Sequence, residues 1–451
     1  MKGKTLRQLL IITILITSAL FFFTCKKESN PIYLTESAQL SLQVDGEPYC
    51  TEVYLQLKAG GIKFPGKVQL VRDSVMIFSH QFDKTGTLLD TLLLDSALLP
   101  GTSYHYEARL LLPEGDEVRS RELSLRTIDT TSHNFTWEII EFGGGSGSSD
   151  LYDVAIIDEN NIWAVGEIHT PETDRWNEDS TEWISPYNAV HWDGEKWELL
   201  HVPFSKMNGG VLYPSIQSIF YTDDGVLWMT DGGTVVTYKD GKYENDIRMN
   251  PLIEGSLLKI WGTSSSNIYI VGRGGTIVHY NGSRWEKIES GTDLPINDIW
   301  GIYENSNSSI YAVASSSVIT TGNTLFKLED GNIMKINFNQ TDYIFGSLWF
   351  KNNQKMLLCG DRIYEKNQNN ELVSIHDELG YYKERIRGSD YNNIFVCGHF
   401  GIIEHFNGAN WRTFTIPNVA IFNSLDSKDN LTVAVGIINP DAVLVKISTK
   451  G

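Results

Sequence analysis

The stretch Glu167–Tyr187 crowds six acids, one Arg, two Trp and one Tyr together, and it is the part of the sequence best supplied for recognition chemistry. Trp176 and Trp183 offer flat rings for stacking on sugars or for burial against a protein partner. Glu178, Asp179 and Glu182 beside them add acceptors and negative charge. These five residues are the candidate ligand-binding set. His191, His279 and His405 are of a type that ligates metals or moves protons, but each occupies the same place in a repeated unit. A catalytic site breaks the symmetry of a repeat, whereas residues recurring in each copy pack it, so these three are expected to be structural. Cys359 and Cys397 fall at or beside one repeated position, where buried, unpaired thiols are expected. With Cys50 they make an odd set, which argues against a disulfide framework, and no Cys/His spacing suits zinc. No GxSxG, HExxH, P-loop or dinucleotide fingerprint occurs. The expectation is a binding protein with no catalytic residue, cofactor or metal. Carboxylates gathered from several repeats are the one route left open to catalysis.

The elements that hold these residues are set by the repeat. Its clearest copy runs Leu258-Lys259-Ile260-Trp261-Gly262, then Asn267-Ile268-Tyr269-Ile270-Val271-Gly272, Thr276–Gly282 and Trp285–Ile288. Short alternating runs split by Asn, Gly and Asn-Gly turns read as a four-stranded antiparallel meander. Residues aligned with Val271 lie at 165, 229, 271, 313, 358, 397 and 435, spaced by 64, 42, 42, 45, 39 and 38 residues. Seven anchors about 40 residues apart predict a seven-bladed β-propeller over 135–449. The last copy lacks a Trp-led fourth strand, and Thr136-Trp137-Glu138-Ile139-Ile140 matches the fourth strands at Trp197 and Trp285. That segment is expected to close the ring, since an open edge invites aggregation. The long first interval is the Glu167–Tyr187 stretch, placed on the face that carries the links between blades.

The repeat resembles the Trp-Gly/Val-Gly propeller repeats of bacterial surface proteins, including photosystem-assembly-factor-like and sialidase-like propellers. The likeness bears on architecture rather than activity, because one fold hosts many functions. Tyr221-Thr222-Asp223-Asp224-Gly225-Val226-Leu227-Trp228 resembles the Asp-box of sialidases without its leading Ser, and is expected to be a hairpin turn.

Residues 35–130 alternate apolar and polar residues in short runs, as at Leu40–Val44, Val53–Leu57 and Val68–Val71, which predicts a β-sandwich. Leu99–Ala108 resembles the late strands of a fibronectin type III domain. The resemblance implies that Tyr104 is a corner tyrosine, with its ring buried and its hydroxyl bonded to backbone. No Trp precedes Trp137, so the usual early-strand Trp is missing.

Residues 1–24 read as a signal peptide. Lys2, Lys4 and Arg7 precede an apolar run from Leu9 to Phe23 that is too short to span a membrane. Phe22-Phe23-Thr24-Cys25 resembles a bacterial lipobox of Bacteroidota type, with Phe22 and Thr24 in place of the usual Leu and small residue. The resemblance implies lipid attachment at Cys25, a tether over 25–34 and a place in the bacterial cell envelope, on the outer membrane. A net charge of −19 with no later basic run excludes nucleic acid. The expected function is a non-catalytic scaffold for a glycan or protein ligand. A polysaccharide hydrolase or lyase and an envelope assembly factor are the alternatives.

Overall fold

The computed structural model describes residues 39–449 apart from 61–65, 83–88, 113–114, 116, 207–208, 305–306, 317–321, 330, 339–342, 368–369 and 378–379. Cys25, the signal peptide and the tether lie outside the described residues. The chain divides into two compact units, one ending at Thr131 and one beginning at Ser132.

The first unit is two antiparallel sheets around one core. Gln39–Val44, Glu52–Gly60 and Leu89–Ser96 form one sheet. Gly66–Arg72, Val75–Phe82, Ser103–Leu111 and the short Glu117–Arg119 and Leu123–Arg126 form the other. Val53, Leu55 and Leu57 meet Val68, Leu70, Tyr106, Ala108 and Leu110 between them, as alternating residues on facing strands must. The Tyr104 hydroxyl accepts a 2.8 Å bond from the backbone N–H of Leu99. Its ring is half-buried rather than buried, with the Arg72 guanidinium over one face at 5.6 Å. The buried tyrosine of this strand is Tyr106, whose hydroxyl donates to Asp95 while Arg72 grips both oxygens of the same carboxylate.

The second unit contains seven four-stranded antiparallel sheets among the described residues. Numbered by their first strands, they begin with Asp150–Asp158 (I), Ser218–Tyr221 (II), Leu257–Ser264 (III), Ile296–Glu304 (IV), Phe345–Trp349 (V), Lys383–Asp390 (VI) and Ile421–Lys428 (VII). The first strand of each sheet packs on that of the next, and the strand of VII packs on that of I, so the sheets stand in a closed circle. The fourth strand of sheet VII is Phe135–Phe142, paired antiparallel with Ala442–Thr449 from Phe142↔Ala442 to Phe135↔Thr449.

The glycines of the repeat have a steric cause. In sheets I, III, V, VI and VII the first strand carries a bulge opposite the end of the second. A Cβ on Gly166, Gly272, Gly360, Gly398 or Gly436 would lie 1.9–2.2 Å from a carbonyl oxygen at the start of that strand or of the residue just before it. Sheet II, paired there without a bulge, has Thr230 instead, while sheet IV holds Ala314 across the same bulge. In the Trp-Gly pairs the rings reach sideways: Trp261 of sheet III packs on Gly301 of sheet IV, where a Cβ would sit 2.6 Å from the ring.

Candidate functional site

Three parts of the second unit carry chemistry, and they lie at different levels of the ring. The first is its interior. Asp153, Ser218, Lys259, Asp298, Ser347, Arg385 and Ser424, one from each first strand, are all buried. Lys259 Nζ lies 2.7 Å from both Asp153 oxygens, and the hydroxyls of Ser218 and Ser424 donate to the same carboxylate. Arg387 donates to Asp298 through Nη1 and Nη2 at 2.9 Å each and also holds Ser347 Oγ. Arg385 Nη1 stands 2.8 Å from Asp298 Oδ1 without hydrogen-bond alignment, and its Nε is buried without an acceptor among the described residues. Burial alone would raise the Asp298 pKa, but Arg387 and Arg385 hold it well below the usual carboxylate range. Lys259 is pushed down to about 8 by burial, with Asp153 opposing. This buried polar layer was missed at the sequence level. The available signal was a polar residue two places before each Trp of the repeat (Lys259, Asp298, Ser347) in an otherwise apolar strand.

Arg387 itself occupies the position that Trp261, Trp300 and Trp349 hold in other sheets, and it lies 4.6 Å over the Trp300 ring. With Lys259, Trp261, Trp300 and Asp426 it lines a cavity of about 170 Å³ formed by the later halves of the first strands.

The second part is the opposite end. Asp150 pairs with Glu167, so the long connection between the second and third strands of sheet I leaves from the end where the first strands begin. Its outer portion is a hairpin: Asn177 N–H donates to Glu182 O, Ile184 N–H to Arg175 O, and Trp176 and Trp183 bridge across it. The two indoles meet edge to face, 5.7 Å apart, and remain 54% and 50% exposed. Glu178, Asp179 and Glu182 are exposed around the hairpin tip. The five candidate residues are thus brought together on one projection. The hairpin base is held by His169, which bonds Asp174 at 2.7 Å and Glu167 at 3.0 Å.

Two carboxyls at the same end are tuned toward their neutral forms. Burial pushes Asp150 up to about 7 against the bond from Asn423, and it raises Glu384 against the pull of His399, 3.1 Å away.

The third part is structural. His191, His279 and His405 each place Nε2 2.7–3.0 Å from the side-chain oxygen of Asn161, Asn267 or Asn393, tying the third strand to the start of the second. Trp163 and Tyr269 stack on the first two rings, and Phe395 lies tilted against the third. Cys359 and Cys397 are buried and unpaired, donating weakly to backbone oxygens of the next sheet. Tyr221–Trp228 is a hairpin turn, and its Asp224 accepts from Ser265 N–H, linking sheets II and III. Among the described residues no cluster of His, Cys, Asp and Glu suits a metal ion.

No family model and no curated protein matches the sequence. Among solved structures, YCF48 bound to D1 peptide aligns over 71% of this chain and 99% of its own, with 15% identity and a TM-score of 0.50. The WD40 propeller domain of Doa1 aligns over 70% and 97%, with 11% identity and a TM-score of 0.51. The fold is a β-propeller. At these identities the likeness extends to the fold alone, and the propeller's chemistry has to be read from its own residues.

Proposed function

We propose that this chain is a non-catalytic binding and scaffold protein of the bacterial cell envelope. In this reading Cys25 carries a lipid, the first unit is a fibronectin type III-like spacer, and the seven sheets are the blades of a propeller that presents a protein or glycan ligand site. The observation that carries it is the Trp176/Trp183 hairpin, where two large apolar rings stand in solvent beside unpaired carboxylates. Paired exposed aromatics on a projecting connector contribute little to the fold and much to an interface. YCF48, which shares this fold, is bound to D1 peptide, so the fold is compatible with a peptide ligand.

Replacing Trp176 and Trp183 together by Ala should weaken ligand binding by about 2 kcal/mol or more per anchor. The melting temperature should stay near that of the parent, because both rings are half exposed. Calorimetric titration beside a thermal scan checks this, and unchanged binding with a lower melting temperature would assign the rings to the fold.

The anchor is tested separately. Cys25→Ser should move the protein from the detergent phase to the aqueous phase in a Triton X-114 partition of expressing cells. A variant that stays in the detergent phase, or a mature protein starting elsewhere, removes the lipid from this reading.

A further inference from the structure

Phe400 is a large apolar residue placed where its backbone is disfavoured, and among the described residues its ring stands edge to face with His399 alone, 6.1 Å away. It lies in the turn joining the second and third strands of sheet VI, two residues after Gly398, with φ of 61°. The corresponding residue of sheet III, two after Gly272, is Gly274 at φ 63°, and Gly275 and Gly401 follow at 66° and 67°. The turn therefore calls for a left-handed residue that glycine supplies without strain, and a side chain there is disfavoured. The other non-glycine residues at positive φ among those described are Asp, Asn, Ser and Ala, and Phe400 is the one aromatic. Its side chain is 69% exposed, so burial offers no compensation.

The turn shares the end of the propeller that bears the sheet I hairpin, with sheet VII between them. His399 bridges to Ile421 at the start of sheet VII, and Phe400 N–H donates to Ala420 O. From sheet VII, Asn423 donates to Asp150 and to Leu151 O of sheet I. Backbone bonds on one side of sheet VII and the Asn423 side chain on the other thus connect the Phe400 turn to the strand end from which the Trp hairpin springs. The exposed charged side chains of the hairpin are mainly carboxylates, Glu178, Asp179 and Glu182 against Arg175, while Glu167 and Glu384 lie beside His169 and His399 at its base and at the Phe400 turn.

We infer that Phe400 is a second binding anchor, and that the ligand is an extended cationic segment of a partner protein crossing sheet VII from the Trp176/Trp183 hairpin to the Phe400 turn. The inference rests on the binding-platform reading and narrows it. Lys and Arg side chains suit such a surface because their stems lie on aromatic faces while their heads meet carboxylates. The charge of −19 adds long-range attraction for a basic partner.

The test selects phage-displayed random 12-residue peptides on the lipid-free chain beginning at Lys26, with a glycan array in parallel. Binding of the enriched peptides is then measured for the parent, Phe400→Gly and Trp176→Ala/Trp183→Ala. The expected peptides are rich in Lys or Arg with an apolar residue, and their affinity falls as salt rises. Phe400→Gly should weaken them tenfold or more while the unfolding midpoint is unchanged or higher, a combination that a structural role does not produce. Acidic or neutral peptides, no enrichment, or undiminished binding by Phe400→Gly would overturn the inference. If the Trp pair matters and Phe400 does not, the platform reading stands and this one falls. Glycan binding that depends on the Trp pair, with no peptide selected, has the same consequence. If neither substitution affects any ligand, both readings fall.

Discussion

Asp298→Asn is expected to destabilise the propeller by about 3–5 kcal/mol, the usual penalty for leaving a buried charge without its partner. Asp298 is buried between Arg385 and Arg387, and its two oxygens accept from Arg387 while a Ser347 hydroxyl completes the set. The amide keeps the shape but removes the charge, so two guanidiniums stay inside the ring facing a neutral group. Urea unfolding should show a lower midpoint with an unchanged slope. Asp298→Asn/Arg387→Met should recover part of the loss, because the second substitution removes one of the uncompensated cations. The pH dependence follows from the depressed carboxyl pKa. The stabilisation is present above the unfolded value of about 3.9 and is lost only as pH falls below it. The variant's deficit should therefore be constant between pH 5 and 8. A loss below about 1 kcal/mol, or a deficit that vanishes near neutral pH, would mean that the pairing contributes little.

The second large effect concerns the fourth strand of sheet VII. Deleting residues 1–145 should remove Phe135–Phe142 and leave Ala442–Thr449 as an open edge. Phe135 and Phe142 are buried, against Phe395 and Phe414 in one case and Trp197 in the other. Each such ring contributes about 1.5–3 kcal/mol, so with eight lost backbone pairings the deletion should exceed ~5 kcal/mol and give an aggregating product. Deleting 26–130 should leave the melting temperature of the propeller close to that of the parent, since its strands begin at Phe135. Circular dichroism melts of the two products decide the matter. A soluble, cooperatively melting product from the longer deletion would show that the ring holds without this strand.

The propeller was legible in the sequence because each sheet repeats the same local constraints. Strand, Asn-Gly turn and strand recur at a near-constant period, and in five of the seven sheets a Gly equivalent to Gly272 stands where a Cβ would lie about 2 Å from a carbonyl oxygen. These are contacts within a sheet or to its neighbour, so they leave a periodic trace. His191, His279 and His405 were legible as structural for the same reason, each bonding an asparagine at the start of its own second strand. The Glu167–Tyr187 connection stood out as a break in the period, but its length gave no sign that Trp176 and Trp183 would bridge and stand edge to face.

The rest was decided by tertiary structure. Asp153 and Lys259 are 106 residues apart, and Asp298 and Arg387 are 89 apart. Only closure of the circle brings them within hydrogen-bond reach, and no local pattern records which polar residue of one sheet faces which of another. Phe400 was silent for a different reason. A Phe before a Gly is unremarkable as sequence, and its cost becomes visible only when the backbone places it at a left-handed dihedral with its ring in water. Sequence determined the repeating unit, because that is written in short-range sterics. The tertiary structure alone decided the buried charge layer and the exposed aromatics, because burial and charge pairing are properties of the assembled ring.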